Sequence, residues 1–271
     1  MSHKVIYMFT GTCVEMRDNR RSLRAAHREH RMHRSQPLYK EVKQHITESL
    51  RDGKWRHGQA IPSEPLLAKR FNASVGTVRR AIDELVAENI LVRQQGRGTF
   101  VTSHTRDYML NVFFQIVGND GRKEFPQPQM LSFKRGRADL ATEELLGIGR
   151  GELVFMVQNL LRLQGKPVIV DNLRLPAKLF PDMSENLFVD RDTTTYGLYQ
   201  MRYGITVVRT VETISAVLAD AKTRKLLGMA HPAAVLKIMR TAYTYKDLAV
   251  DTRVRFVNTQ HHHYLSLLGK R

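Results

Sequence analysis

Between Pro62 and Val101 the chain compresses several short-range signals into one span, and together they leave few folds open. Leu66, Leu67 and Phe71, then Val75, Val78, Ile82 and Leu85, recur at helical intervals and predict two short amphipathic helices. Ser63 stands where an N-cap belongs, and Pro65 falls in the opening turn, where its missing N–H costs nothing. Phe71, Asn72, Ala73 and Ser74 interrupt the pattern, and Ser74 can cap the second helix. After Leu85, two β-prone runs, Glu88 to Arg93 and Thr99 to Val101, flank Gln94, Gln95, Gly96, Arg97 and Gly98, which reads as a hairpin. Upstream, Leu38, Tyr39, Val42, Ile46 and Leu50 make a further amphipathic helix ending near Gly53. Three helices followed by a basic hairpin form a winged helix-turn-helix.

That module carries its own chemistry. A helix entering the major groove meets base edges with its N-terminal residues, and its free N–H groups suit phosphate. Here those residues are Val75, Gly76 and Thr77, small enough for close approach, followed by Arg79 and Arg80. Arg93 and Arg97 on the hairpin would reach backbone phosphate or a minor groove.

The same residues resemble the GntR family of bacterial transcription regulators across Gln36 to Ser103. Pro37-Leu38-Tyr39 leads the first helix, Ile61-Pro62-Ser63-Glu64 the second, Ser74 with Thr77-Val78-Arg79 the third, and Gln95-Gly96-Arg97-Gly98-Thr99-Phe100-Val101 forms the wing. The resemblance implies DNA contacts from Ser63, Glu64, Ser74, Thr77, Arg79, Gln95 and Gly96, to which the residues add Val75, Arg80, Arg93 and Arg97. Family members commonly carry arginines where this chain has Pro65 and Val75, so its operator preference should differ.

The chain's 271 residues exceed what one such unit needs, which predicts two domains. The expected division is a basic extension over 1–35, rich in arginine and histidine from Arg17 to Arg34; a DNA-binding domain over 36–103; a linker at 104–108; and a second domain over 109–271. The polar stretch Thr102 to Asp107 has no periodicity and should permit relative motion. A net charge of +17 favours a polyanionic partner, although the motif rather than the charge selects DNA. Cys13 is the only cysteine, which excludes an intrachain disulfide and fits a reducing cytoplasm. No apolar run reaches membrane-spanning length, so a soluble protein without membrane contact is expected.

From Tyr108 onward the period changes to alternating apolar residues: Leu110, Val112, Phe114; Leu153, Phe155, Val157; Val168, Val170; Val207, Val211, Ile214; Val235, Met239; Val250, Val254, Phe256. Helices over Ala138 to Leu146 and Ala221 to Leu227 stop at Gly147 and Gly228. The fold class is therefore α+β, an antiparallel sheet with helices. Arg162 to Val168, Leu175-Pro176, Tyr196 to Ile205, Glu212 and Lys225 to Gly228 resemble the UTRA effector-binding domain of the HutC subgroup, over about Met109 to Leu268. This likeness implies a chorismate-lyase-like fold and a small-molecule effector. By alignment, the arginine pair of sugar-phosphate-responsive relatives is replaced by Asn159 and Leu161, which points away from a phosphorylated effector. Arg162, Thr194, Tyr196, Arg240, Tyr243 and Asp251 are the expected effector contacts.

No cofactor or metal is expected: His261, His262 and His263 would alternate across a strand and lack a fixed carboxylate partner. The implied molecule is a cytoplasmic homodimer on a palindromic duplex operator, most simply a repressor, whose effector favours a geometry that no longer fits the operator. The alternatives are an enzyme on the lyase-like fold, for which no nucleophile elbow, zinc motif or phosphate loop is present, and a nonspecific DNA-binding protein.

Overall fold

A computed structural model describes residues 37–266; the basic extension over 1–35, Cys13 and the last few residues lie outside the described residues. Helix α1 (Leu38–Arg51), α2 (Glu64–Arg70) and α3 (Val75–Ala87) pack with the hairpin β1 (Leu91–Gln94) and β2 (Gly98–Val101). Their shared interior is built from Ile46, Leu67, Val78, Ile82, Leu85 and Leu91, all essentially inaccessible to water. Each such burial contributes about 1.5–3 kcal/mol, enough to give this small unit its own core. Ser74 caps α3, accepting the Thr77 amide at 3.0 Å. Ser63 does not cap α2 with its side chain; only its carbonyl engages the helix, accepting from the Leu67 amide at 2.9 Å. Leu66, read as part of the apolar stripe, is exposed, because Leu67 and Ala68 face inward instead.

The second half centres on six antiparallel strands in the order β4-β5-β6-β9-β8-β7, formed by β4 (Gln127–Arg137), β5 (Leu153–Leu163), β6 (Lys166–Pro176), β7 (Arg209–Leu218), β8 (Ala234–Tyr243) and β9 (Ala249–Val257). The short strands β3 (Ile116–Gly118) and β10 (His262–Tyr264) pair separately. One sheet face carries α4 (Arg106–Val112), α6 (Glu185–Val189) and α7 (Thr195–Tyr203), packed through Phe113, Phe180, Phe188 and Tyr199. The other face carries α5 (Leu140–Leu146), around Leu146 and Val154, and α8 (Ala221–Leu227), around Leu227 and Val170. Helices α5 and α8 stop at Gly147 (φ 61°) and Gly228 (φ 65°), left-handed positions that suit glycine.

Two sequence expectations change here. Leu110 and Val112 belong to a helix rather than a strand, since Thr105 caps α4 by accepting the Tyr108 amide and so commits the following residues to helical geometry. The stretch Thr102 to Asp107, expected to permit relative motion, is anchored at its start, where Thr102 and His104 are each only 2 % exposed, while Thr105, Arg106 and Asp107 are exposed. Local polarity read as freedom to move, but Thr102 and His104 find partners on α7 and at its cap.

Candidate nucleic-acid interface and effector cavity

The winged unit gathers its exposed polar groups along the start of α3 and the hairpin. Ser74 and Thr77 hydroxyls lie 2.8 Å apart at the α3 N-terminus, beside the exposed Val75. Glu64 holds two arginines at once: Arg79 Nε donates to it at 2.8 Å and Arg93 Nη2 at 3.0 Å, while Asp83 accepts from Arg93 at 2.8 Å. One carboxylate therefore ties α2, α3 and β1 together and sets the heading of both cations. Exposed pairs of this kind are each worth no more than about 1 kcal/mol, so their effect is orientation rather than stability. Arg80 takes a different course, stacking over Tyr39 of α1 with its guanidinium 3.9 Å from the ring centroid. At the hairpin tip, Gln95 and Arg97 flank Gly96, whose φ of 71° closes the turn, and Arg97 leans toward Phe100.

A cavity of about 260 Å³ opens between the α4/α7 layer and the sheet, lined by Phe113, Asn159, Asp171, Arg191, Tyr196 and Arg255 among others. The register explains its polarity. Asn159 on β5 faces Asp171 on β6, which faces Arg255 on β9; Glu212 on β7 faces Arg240 on β8, which faces Arg253 on β9. Polar and charged residues thus run across the sheet from β5 to β7, on two neighbouring levels that meet on β9 at Arg255 and Arg253. Arg255 Nε donates to Asp171 at 2.8 Å, Arg253 Nη2 to Asp251 at 2.7 Å, and Arg240 Nε to Glu212 at 2.6 Å. The neighbouring guanidinium groups keep the Asp171 and Glu212 carboxyls ionised below their ordinary range despite burial that opposes it. Burial pushes the Tyr196 and Tyr199 phenols up, so both stay protonated; Tyr199 donates to Asp251 at 3.1 Å.

The polar stretch after the wing docks directly behind this cavity. Gln200 of α7 accepts the His104 amide at 3.0 Å and donates to the Thr102 carbonyl at 3.2 Å. Thr194, the N-cap of α7, donates to the His104 carbonyl at 3.1 Å while accepting the Gly197 amide at 2.9 Å. The His104 ring donates from Nε2 to the Val207 carbonyl at 2.8 Å and packs against Phe113 and Tyr196, two cavity walls. Desolvation drives its pKa down to about 4, so the ring is neutral. On the far side, Tyr108 donates to the Asn89 carbonyl, and Val208 and Tyr245 pack against the core of the winged unit.

Comparison with known proteins places both halves. Residues 38–101 match the family described as bacterial regulatory proteins, gntR family, and residues 122–263 match the UTRA domain, which is more than half of the chain. The chain belongs to the GntR family. It is a DNA-binding transcriptional regulator whose second domain is of the effector-binding UTRA type. It is 30 % identical over 226 residues to the Escherichia coli (strain K12) protein named "Probable fructoselysine utilization operon transcriptional repressor", covering 82 % of this chain and 90 % of that one. It is 23 % identical over 216 residues to the transcriptional repressor NagR of Bacillus subtilis (strain 168), covering 79 % and 88 %. The solved ligand-binding domain of a GntR-family regulator from Bordetella bronchiseptica superposes with a TM-score of 0.55 at 27 % identity, over 58 % of this chain and 98 % of that domain.

Set on the UTRA domain, the expected effector contacts divide. Thr194, Tyr196 and Arg240 line the cavity. Asp251 lies one layer behind it, wholly buried and engaged by Arg253 and Tyr199. Arg162 and Tyr243 are elsewhere: Arg162 turns back to the Gly165 carbonyl at the β5–β6 turn, and Tyr243 stacks under Arg209 at the far end of β8. Asn159 and Leu161, which stand in place of the arginine pair on β5, line the cavity, while Arg240, Arg253 and Arg255 enter it from β8 and β9. Arg191, Arg253, Arg255 and Asp171 were missed; only the alternation of Asp251, Arg253 and Arg255 hinted at a shared face. Among the described residues no cluster of histidine, cysteine or carboxylate groups is placed to hold a metal; His262 is buried and His263 exposed on β10.

Proposed function

We propose that this protein is a homodimeric repressor that holds a palindromic operator with two winged units and lets go when a small molecule fills the cavity of the UTRA domain. It acts in the cytoplasm, where its DNA is, and as a regulator rather than an enzyme; its relatives carry names of transcriptional repressors. Ser74, Val75 and Thr77 meet base edges, Arg79 and Arg93 are aimed by Glu64 toward the duplex, and Ser63, Gln95, Gly96 and Arg97 follow the backbone. Arg80, held over Tyr39, contributes positive potential rather than a base contact.

The observation that carries the regulatory half is the shared use of α7. Thr194 and Tyr196 wall the cavity, and the same two residues grip His104 of the segment that leads to the wing. A ligand that shifts the start of α7 must shift that segment too, which gives the two states differential affinity for DNA. The test is fluorescence anisotropy on the chain's own upstream DNA against scrambled duplex, with light scattering for the oligomeric state. A stoichiometry of two subunits per site and at least about tenfold preference for the genuine sequence support the reading. Equal affinity for both duplexes, or a monomer on DNA, overturns it.

A further inference from the structure

Helix α3 carries a carboxylate on the face where a duplex would least welcome one. Gly76, Arg79 and Asp83 follow one another at three- and four-residue steps, so they share a stripe, and all three are exposed. The opposite side of the helix, Val78, Ala81, Ile82 and Leu85, is buried in the core of the winged unit. The stripe begins in the first turn of α3, the part that meets base edges in a helix-turn-helix. Glu84 and Glu88 are differently placed: both receive Lys43, at 2.9 and 2.5 Å, and so fix α1 against α3. Asp83 makes one ion pair among the described residues, to Arg93 of β1 at 2.8 Å. With side chains 57 % and 42 % exposed, that pair adds little to stability.

What the pair does fix is the heading of Arg93. One nitrogen, Nη2, lies 2.8 Å from Asp83 and 3.0 Å from Glu64, which draws the guanidinium from the hairpin toward α3. Glu64 takes Arg79 as well, so two arginines and two carboxylates cancel at the centre of this face. In a chain of net charge +17 that centre is neutral, flanked by Arg80 over Tyr39 and by Arg97 at the hairpin tip. Every duplex offers phosphates, and an arginine free to follow them gains affinity without selectivity. A carboxylate at the same place is repelled by phosphate, and one that also holds the arginine keeps it from them.

We propose that Asp83 is a positioning residue for sequence selectivity: by holding Arg93 toward α3, it lowers affinity for arbitrary duplex more than affinity for the operator. This rests on the winged unit reading an operator. Glu64 is shared between Arg79 and Arg93, so with Asp83 neutralised Arg93 keeps only a carboxylate it must share. Its guanidinium then turns out along the hairpin to the nearest phosphate, a partner that scrambled DNA supplies as well as the operator does. On the operator the gain is smaller, because there Arg93 gives up its groove-side position to make that contact.

The experiment measures the full chain by fluorescence anisotropy on its own upstream DNA and on scrambled duplex, over a salt series, for wild type, D83N, D83E, R93Q and D83N/R93Q. D83N should bind scrambled duplex about tenfold tighter, with a log–log salt slope steeper by about 0.9, the mark of one added phosphate contact. It should bind the operator less than about threefold tighter, so its preference falls by at least about threefold. D83E keeps the charge and should keep the preference. In the R93Q background, D83N should move both duplexes alike, because nothing remains to be positioned. Melting temperatures of wild type and D83N should agree, as befits an exposed pair. A D83N variant that tightens both duplexes equally, or that loses as much preference without Arg93 as with it, overturns the proposal. If wild type itself shows no preference for its own DNA, the operator reading fails and the proposal with it; if wild type prefers that DNA and D83N prefers it as strongly, the proposal alone fails.

Discussion

Gln200→Ala tests whether the segment between the domains is held or free. In the structure the Gln200 amide is 3 % exposed and satisfies two backbone groups at once, the His104 N–H and the Thr102 carbonyl. Alanine leaves both buried without partners, at about 1–3 kcal/mol each before water enters the vacated space, so a local cost of about 2–4 kcal/mol is expected. The winged unit has its own core and the sheet domain keeps its apolar packing, so the cost falls on the docking of residues 102–107. Trypsin cleavage at Arg106 reads this directly, because cleavage follows the population of the opened segment when reclosing is fast. A loss of 2–4 kcal/mol corresponds to roughly 30- to 1,000-fold faster cutting. Gln200→Glu, which can still accept from His104 but cannot donate to Thr102, should fall between. If the alanine variant is cut less than about threefold faster while circular dichroism shows both domains folded, the segment is not anchored by α7, and the route from cavity to wing drawn through it is wrong.

Other substitutions probe the remaining contacts. Arg79→Ala should cost about 1–3 kcal/mol of operator affinity if that side chain reads a base, with little change on scrambled DNA; an equal loss on both, with a shallower salt dependence, would make it a phosphate contact. Gly197→Ala should loosen the connector and disturb the α7 edge of the cavity together, because a methyl group there collides with the hydroxyl of Thr193, a cavity-lining residue, and comes within 3.2 Å of the His104 carbonyl; a melting curve identical to wild type would refute that tight approach. His104, neutral with a folded pKa of about 4 against 6.5 unfolded, contributes stability that is complete above pH 6.5 and declines as pH falls toward 4, by at most about 3 kcal/mol. Urea midpoints across that window should show the decline, and His104→Gln should flatten it.

The two halves of the chain differed in how far their residues could be read unaided. In the winged unit every decisive signal is local: the Ser74 cap, the 3.6-residue stripe through Val78, Ile82 and Leu85, and the glycines of the hairpin lie within a few positions of what they determine. The roles of Glu64 and Tyr39 were harder, because Glu64 acts on Arg79 and Arg93, fifteen and twenty-nine positions away, and the Tyr39 stack on Arg80 crosses from α1 to α3. The cavity draws Asn159, Asp171, Arg191, Arg240 and Arg255 from four strands and a loop, so no single stretch contains it.

One strand nevertheless held the information in a form that needed only its place in the sheet. Asp251, Arg253 and Arg255 alternate with Thr252, Val254 and Phe256, and on an edge or half-covered strand that pattern means a solvated face. But β9 lies between β6 and β8, and both of its faces are covered. Three charges on one covered face cannot be left to water, and burying them costs several kcal/mol each unless they are paired. Cross-strand register supplies part of the pairing, with Asp171 opposite Arg255 and Glu212 reaching Arg240 beside Arg253. Well-packed apolar residues would serve stability at least as well, so stability alone does not account for a charged face on a central strand. In this domain it fronts a cavity lined as well by Asn159, Asp192 and the threonines at the start of α7, so the sheet's charged face and the helix start meet in one polar space.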